Sequence, residues 1–231
     1  MNYIKTNIIN LINQLIMETS LIYEVGVDEV GRGCLFGPVV SAAVVMPIEF
    51  SEDDILWKQI KDSKKLSEKK RIMLNEYIKN TAISYGIGIC SHTEIDKINI
   101  LKASLKSMHI AVNNAYKMAI ENNKPIFEKI IVDGNRFNAY CPPGEDSTYI
   151  PHECYESGDN KYLNIAAASI IAKTYRDNII IEGCKENDEW NRYDLLKNKG
   201  YGTAKHMSAL KQYGPIEGHR FSYKPVQIYK I

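Results

Sequence analysis

Asp28 and Glu29 stand side by side at the end of an apolar stretch and run into the glycine-rich turn Gly31-Arg-Gly33. Adjacent carboxylates repel each other, so a fold that holds them together beside a buried strand needs a cation to offset the charge. Two further acids occupy comparable places, Asp133 in Val132-Asp-Gly-Asn135 and Asp159 in Gly158-Asp-Asn-Lys161. Hard carboxylate oxygens suit Mg2+ or Mn2+. A pair of such ions can activate a water and stabilise the leaving oxygen of an in-line phosphoryl displacement. Arg32 lies between two residues without side chains, where a polyanionic backbone can approach closely and meet the guanidinium. These residue types point to metal-dependent phosphodiester hydrolysis, and no histidine cluster competes for the metal.

Such acids need strands to hold them. Residues 21–28 and 38–46 are apolar and β-branched and read as a hairpin-like pair around Gly-Arg-Gly, with Ile83–Cys90 as a third strand after a helix over Leu66–Asn80. Thr93 is expected to start a long helix with Asp96 as its capping-box partner. Ile95, Ile98, Leu101, Leu105, Met108, Val112 and Ala115 then form its apolar stripe. Lys129–Asp133 reads as a short buried strand, Thr148–Pro151 as a fifth strand, and Asn164–Lys185 as a helix whose Ala166, Ala167 and Ala168 permit close approach. This order predicts an α/β fold with a mixed five-stranded sheet flanked by helices, in which the strand ending at Asp133 lies beside that carrying Asp28. Strand alternation turns Asp28 and Glu29 to opposite faces, so a break in pairing near Gly31 and Gly33 is expected to bring both to one site.

At 231 residues, 45% hydrophobic and 25% charged, the chain can bury the core of one large domain or of a domain with a small appendage. Five cysteines without a CxxC pair argue against a disulfide framework and a thiolate zinc site, so reduced thiols in a cytoplasmic setting are expected. Residues 1–20 read as an amphipathic helix or disordered lead, not a secretion signal or membrane anchor. Residues 21–189 form the expected catalytic body, and residues 190–231 a basic extension for substrate binding. From Arg192 to Ile231 there are eight basic residues and two acidic ones, although the whole chain carries only +1. A basic segment on an otherwise acidic body suits a protein that holds a phosphate backbone with one part and metal ions with another.

The residues also carry a resemblance. Val27-Asp-Glu-Val-Gly-Arg-Gly33 with Gly37-Pro-Val-Val40, then Asp62-Ser-Lys-Lys-Leu-Ser67 and Val132-Asp-Gly-Asn135, are similar to motifs of the ribonuclease HII family. Gly158-Asp159 with Ile165-Ala-Ala-Ala-Ser-Ile-Ile-Ala-Lys-Thr-Tyr-Arg-Asp177, and Lys199-Gly-Tyr-Gly-Thr203 with His206 and His219-Arg220, continue the match in order. The resemblance implies a ribonuclease H-like fold with a small helical C-terminal extension. It implies an endoribonuclease that hydrolyses the RNA strand of RNA/DNA hybrids. Such an enzyme also cuts 5′ of single ribonucleotides in duplex DNA, leaving 3′-hydroxyl and 5′-phosphate ends.

By the same resemblance Asp28, Glu29, Asp133 and Asp159 are the metal-binding and catalytic acids. Asp177 is a rival for the fourth ligand, but it lies on a helix turn well past the glycine that opens the motif, so a structural or supporting role is expected for it. Gly31, Arg32 and Gly33 read the 2′-hydroxyl of a ribonucleotide, and Tyr201 packs on the sugar to its 3′ side. Ser63, Lys64, Lys173 and Arg176 are candidate phosphate contacts, while His206 and His219 are expected to be structural or phosphate-facing and to take no metal. Cys34 stands where the family usually has proline and Phe36 where a smaller residue is common, so the loop after Gly33 is expected to be less rigid or differently packed. Gln227–Ile231 is shorter than the sliding-clamp motif of some relatives, so no clamp partner is expected. The expected state of the chain is a monomer. The sister family ribonuclease HIII and a catalytically idle hybrid-binding module are the rival readings.

Overall fold

The computed structural model describes residues 22–144 and 148–229, and the segment expected to be a helix or lead at 1–20 lies outside the described residues. The strands are β1 (Glu24–Val30), β2 (Val39–Val45), β3 (Ser84–Cys90), β4 (Lys129–Asp133) and β5 (His152–Tyr155). They form one sheet in the order β3-β2-β1-β4-β5. The β1–β2 and β2–β3 pairs are antiparallel, and the β1–β4 and β4–β5 pairs are parallel. The expected mixed sheet is therefore present, with the strand of Asp133 directly beside the strand of Asp28.

The helices are α1 (Glu68–Thr81), α2 (His92–Ile98), α3 (Ile100–Glu121), α4 (Leu163–Glu186), α5 (Asp188–Asn191), α6 (Leu195–Asn198), α7 (Ala204–Tyr213) and α8 (Lys224–Gln227). One sheet face gives Val25, Val27, Ala43, Val45, Ile130 and Val132 to a core completed by Met108, Ala111, Val112 and Ala115 of α3. The other gives Val40, Ala42 and Val44, which pack with Leu74 and Ile78 of α1 and with Ala166–Ala168, Ile170 and Ile171 of α4. Each fully buried Val or Ile contributes about 1.5–3 kcal/mol, so both faces are needed to hold the strands in register.

Two expected elements fall elsewhere. Ser91, not Thr93, caps α2, and its capping-box partner is Glu94. The expected long helix is interrupted at Asn99, whose φ of 67° no continuing helix accepts and whose side chain caps α3 by accepting from the Lys102 N–H at 3.1 Å. Asp96 instead accepts from the backbone N–H groups of Phe221 and Ser222 at 2.9 and 2.8 Å, tying α2 to the C-terminal segment. The fifth strand is His152–Tyr155, not Thr148–Pro151, because its register with β4 runs from Ile130↔His152 to Asp133↔Tyr155. Pro151 has no N–H to give the ladder and stands just before it.

The segment after α4 packs on the body through the β1–β2 connection. Leu35 and Phe36 share a buried cluster with Ile180, Tyr193, Leu195, Leu210 and Val226. Among the described residues, no helix is long and apolar enough to cross a membrane.

Candidate active site

Alternation along β1 sends Val25 and Val27 to the α3 face, so Gly26 and Asp28 face α4. Gly26 is required there, since a Cβ would lie 2.2 Å from the Asn164 carbonyl carbon. Along β4, Ile130 and Val132 face α3 and Asp133 faces α4. Asp159 sits in a short 3-10 turn, Gly158–Asn160, that leads into α4. Carboxylate oxygens of Asp28, Asp133 and Asp159 therefore meet within 4.8 Å of one another, on the α4 side of the sheet's end.

Glu29 lies on the other face, and the break expected to bring it across is absent. Pairing with β2 stays regular through Glu29↔Ser41 to Val30↔Val40. The Glu29 backbone N–H donates to Asp28 Oδ1 at 2.7 Å, and its own Oε1 accepts from Arg32 Nη1 at 3.1 Å. Glu29 is thus adjacent to the three-acid cluster, with its carboxylate paired to Arg32.

Few hydrogen bonds support these acids. Gly158 N–H donates to Asp133 Oδ1 at 2.7 Å and Asn160 Nδ2 to Asp159 Oδ1 at 2.8 Å. Burial, followed by the neighbouring charges of Glu29 and Asp133, holds the Asp28 carboxyl well above the usual carboxylate range, against a hydrogen bond from Ser169. Burial also raises Glu29, opposed by Arg32, and raises Asp159, where Asp133 adds to the effect. Three carboxylates packed this closely are relieved by a divalent cation bound to hard oxygen donors, and the donor set fits one.

The Gly31–Pro38 connection carries the other predicted residues. Gly31 has φ +94°, and a Cβ on it would meet Arg176 Nε at 2.3 Å. Gly33 has nothing within 4 Å of a Cβ position, so nothing in the protein requires glycine there. Its bare face is open to whatever binds. Arg176, expected at a phosphate, is instead fully buried. Its guanidinium donates to the carbonyls of Phe36, Pro38 and Lys199 at 2.9, 3.0 and 2.7 Å. Arg220, also fully buried, donates to the carbonyls of Gly37 and Arg32, both at 3.0 Å. Two forked cations thus pin the loop from beneath.

Cys34, far from loosening this loop, is fully buried and forms a β-bridge with Tyr201. Tyr201 keeps 41% of its surface exposed, with Lys173 Nζ 5.9 Å from its ring centre, and burial pushes its hydroxyl up to about 12. Phe36 is buried edge-on to Trp190 and His219.

Ser63 is likewise buried rather than phosphate-facing. Its Oγ lies 2.9 Å from Ser169 Oγ, and Ser169 in turn hydrogen-bonds Asp28, so Ser63 supports the acid from behind. Lys64 is exposed and its charge acts on Asp159. Lys173 Nζ donates to Asp177 Oδ1 at 2.7 Å, and Asp177 also pairs with Arg71 at 3.3 Å. Asp177 is committed to this buried network, away from the acid cluster. The inward place of Arg176 had a signal in the sequence: Ala172, Arg176, Ile180 and Cys184 recur every four residues along one helix face, and all four are buried.

The chain matches the family described as Ribonuclease HII over residues 25–226. It belongs to the ribonuclease HII family. Membership makes it an endoribonuclease that acts on RNA/DNA hybrids with a divalent metal. It is 46% identical to the ribonuclease HII of Christiangramia forsetii over 86% of this chain and 89% of that protein. It is also 46% identical to that of Parabacteroides distasonis over 92% of this chain and 96% of that protein. The solved ribonuclease H2 of Pyrococcus horikoshii has the same fold, with a TM-score of 0.63 at 24% identity over 90% of this chain and 97% of that one. Archaeoglobus fulgidus ribonuclease HII, solved in complex with PCNA, gives a TM-score of 0.61 at 25% identity over 90% of this chain and 97% of that one.

Proposed function

We propose that this endoribonuclease cuts on the 5′ side of ribonucleotides, including single ones embedded in duplex DNA, using two Mg2+ or Mn2+ ions. The convergence of Asp28, Asp133 and Asp159 within 4.8 Å, beside a glycine loop with an open face, carries this reading. Water attacks phosphorus and the P–O3′ bond breaks, so the products end in a 3′-hydroxyl and a 5′-phosphate. Bound divalent ions polarise the scissile phosphate and acidify the attacking water.

Asp28, Asp133 and Asp159 would hold these ions, with Glu29 beside them as the fourth acid of the set. Gly31 and Gly33 bring backbone against the ribose, and the 2′-hydroxyl is the handle that distinguishes RNA from DNA at that position. Tyr201, fixed to the same loop through Cys34, packs on the next sugar to the 3′ side. Lys64 and Lys173 contact phosphates at the rim, and the basic segment from residue 190 steers the duplex.

A labelled DNA duplex with one ribonucleotide tests this reading beside an all-DNA duplex and a continuous hybrid, each with Mg2+, Mn2+ or chelator. Metal-dependent cutting immediately 5′ of the ribonucleotide is expected. Cutting of the continuous hybrid alone would remove the junction-reading role of Gly31, Gly33 and Tyr201.

A further inference from the structure

Beyond Asp159 the acid cluster opens into a cavity of about 190 Å3 lined by Trp57, Lys58, Lys61, Asp159, Lys161 and Leu163, among others. Lys58, Lys61 and Lys161 line it, and none makes an ion pair among the described residues. Lys161 Nζ donates to the Glu156 carbonyl at 3.0 Å, which fixes the ammonium at the rim without neutralising it. Trp57 is stacked on Phe50 at 4.9 Å and 19°, with Lys58 Nζ 5.6 Å from its ring centre. Both contacts hold the indole as a wall, so it is not a free platform for a base. Asp159 is the single acid of the lining, and the proposed metal takes up its charge.

Unneutralised ammonium groups around a cleft too small for a folded partner suit the charge of a phosphodiester chain. We propose that Lys58, Lys61 and Lys161 grip the phosphates of the cut strand on the 5′ side of the scissile bond. The direction rests on the function proposed above. Tyr201 and the Gly31–Gly33 loop take the ribonucleotide and its 3′ neighbour, and that loop leaves the acids at Glu29. The cavity opens at Asp159 instead, so the strand that passes the acids enters it with its 5′ portion.

The test measures binding in chelator, so that nothing is cut, across a salt series. The full-length protein would be compared with K58A/K61A, K161A and the charge reversal K58E/K61E. Each lysine–phosphate pairing removed should flatten the slope of log K against log salt by about 0.7–0.9, so K58A/K61A should lower it by roughly 1.5. The probes are a duplex with one ribonucleotide, the same duplex shortened on the 5′ side of the cut, and one shortened on the 3′ side. The variants should lose affinity several-fold on the full and 3′-shortened duplexes, and the difference should vanish on the 5′-shortened one. An unchanged slope on the full duplex would overturn the inference, as would a loss that persists after 5′ shortening. Metal-dependent cutting by the unaltered protein is scored in parallel: its absence defeats the proposed function, whereas cutting with unchanged slopes defeats the lysine assignment alone.

Discussion

His206 and His219 meet through their Nε2 atoms at 3.0 Å, both fully buried, and the bond joins the Tyr201 turn to the turn that holds Phe36. Their neighbours fix both tautomers. The Tyr201 carbonyl can only accept, so His206 Nδ1 carries a proton and donates to it at 3.0 Å. His206 Nε2 is then the acceptor, His219 Nε2 the donor, and His219 Nδ1 accepts from the Ile216 N–H at 3.1 Å. With both rings neutral every one of these bonds is made, and the Ile216 carbonyl also lies 3.1 Å from His219 Nδ1.

Burial lowers both imidazoles, and His219 is pushed down to about 4 from an ordinary value of 6.5. The folded state therefore favours the neutral ring. Its contribution to stability is complete above pH 6.5 and is lost as pH falls from there towards 4, amounting to about 3 kcal/mol. Thermal midpoints recorded between pH 7 and 4 should fall less steeply in His219→Gln than in the unaltered protein. Parallel curves would show that this pair does not set the acid limit.

Gly31 and Gly33 should part company on substitution. Gly31→Ala strains a φ of +94° and drives a methyl into Arg176, so the thermal midpoint should drop. Gly33→Ala meets nothing in the protein, so the midpoint should hold while cutting at a single ribonucleotide falls by about tenfold or more, since weakening the transition state by about 1.4 kcal/mol is enough. A Gly33→Ala protein that cuts normally would show that substrate does not press against this residue.

Asp28 trades stability for chemistry. Its buried carboxylate faces Glu29 and Asp133, so Asp28→Asn should raise the thermal midpoint in chelator and abolish cutting. Added Mg2+ or Mn2+ should raise the midpoint of the unaltered protein and shift that of Asp28→Asn much less. Equal metal shifts in the two proteins would remove Asp28 from the ligand set.

Arg176 stabilises by geometry as well as charge. Arg176→Met leaves three carbonyls without their donor and should cost about 3–5 kcal/mol, and Arg176→Lys should recover only part of that because an ammonium lacks the fork. Denaturant midpoints of the two variants measure the difference. A Met variant as stable as the unaltered protein would mean that the loop is held by other interactions.

Much of this protein is written in short stretches of its sequence. The four acids, Gly-Arg-Gly, the succession of strands and helices along the chain and the helix over residues 164–185 follow from residue type, alternation and helical spacing, which act over a few neighbours. Alternation alone places Asp28 and Glu29 on opposite faces. Whether the ladder stays regular past them depends on Ser41 and Val40, which lie across the sheet on β2. The start of β5 is likewise fixed by its register with β4, and Asp96 finds its partners more than a hundred residues away at Phe221 and Ser222. Arg176 and Ser63 have the composition of phosphate contacts, yet both turn inward. Their partners Phe36, Pro38, Lys199 and Ser169 come near only when the chain is packed, and burying a polar group is tolerable only where such partners wait. Local patterns name the chemical groups, and long-range packing assigns each its direction, because the free energy of pairing a buried group depends on what the folded chain brings to it.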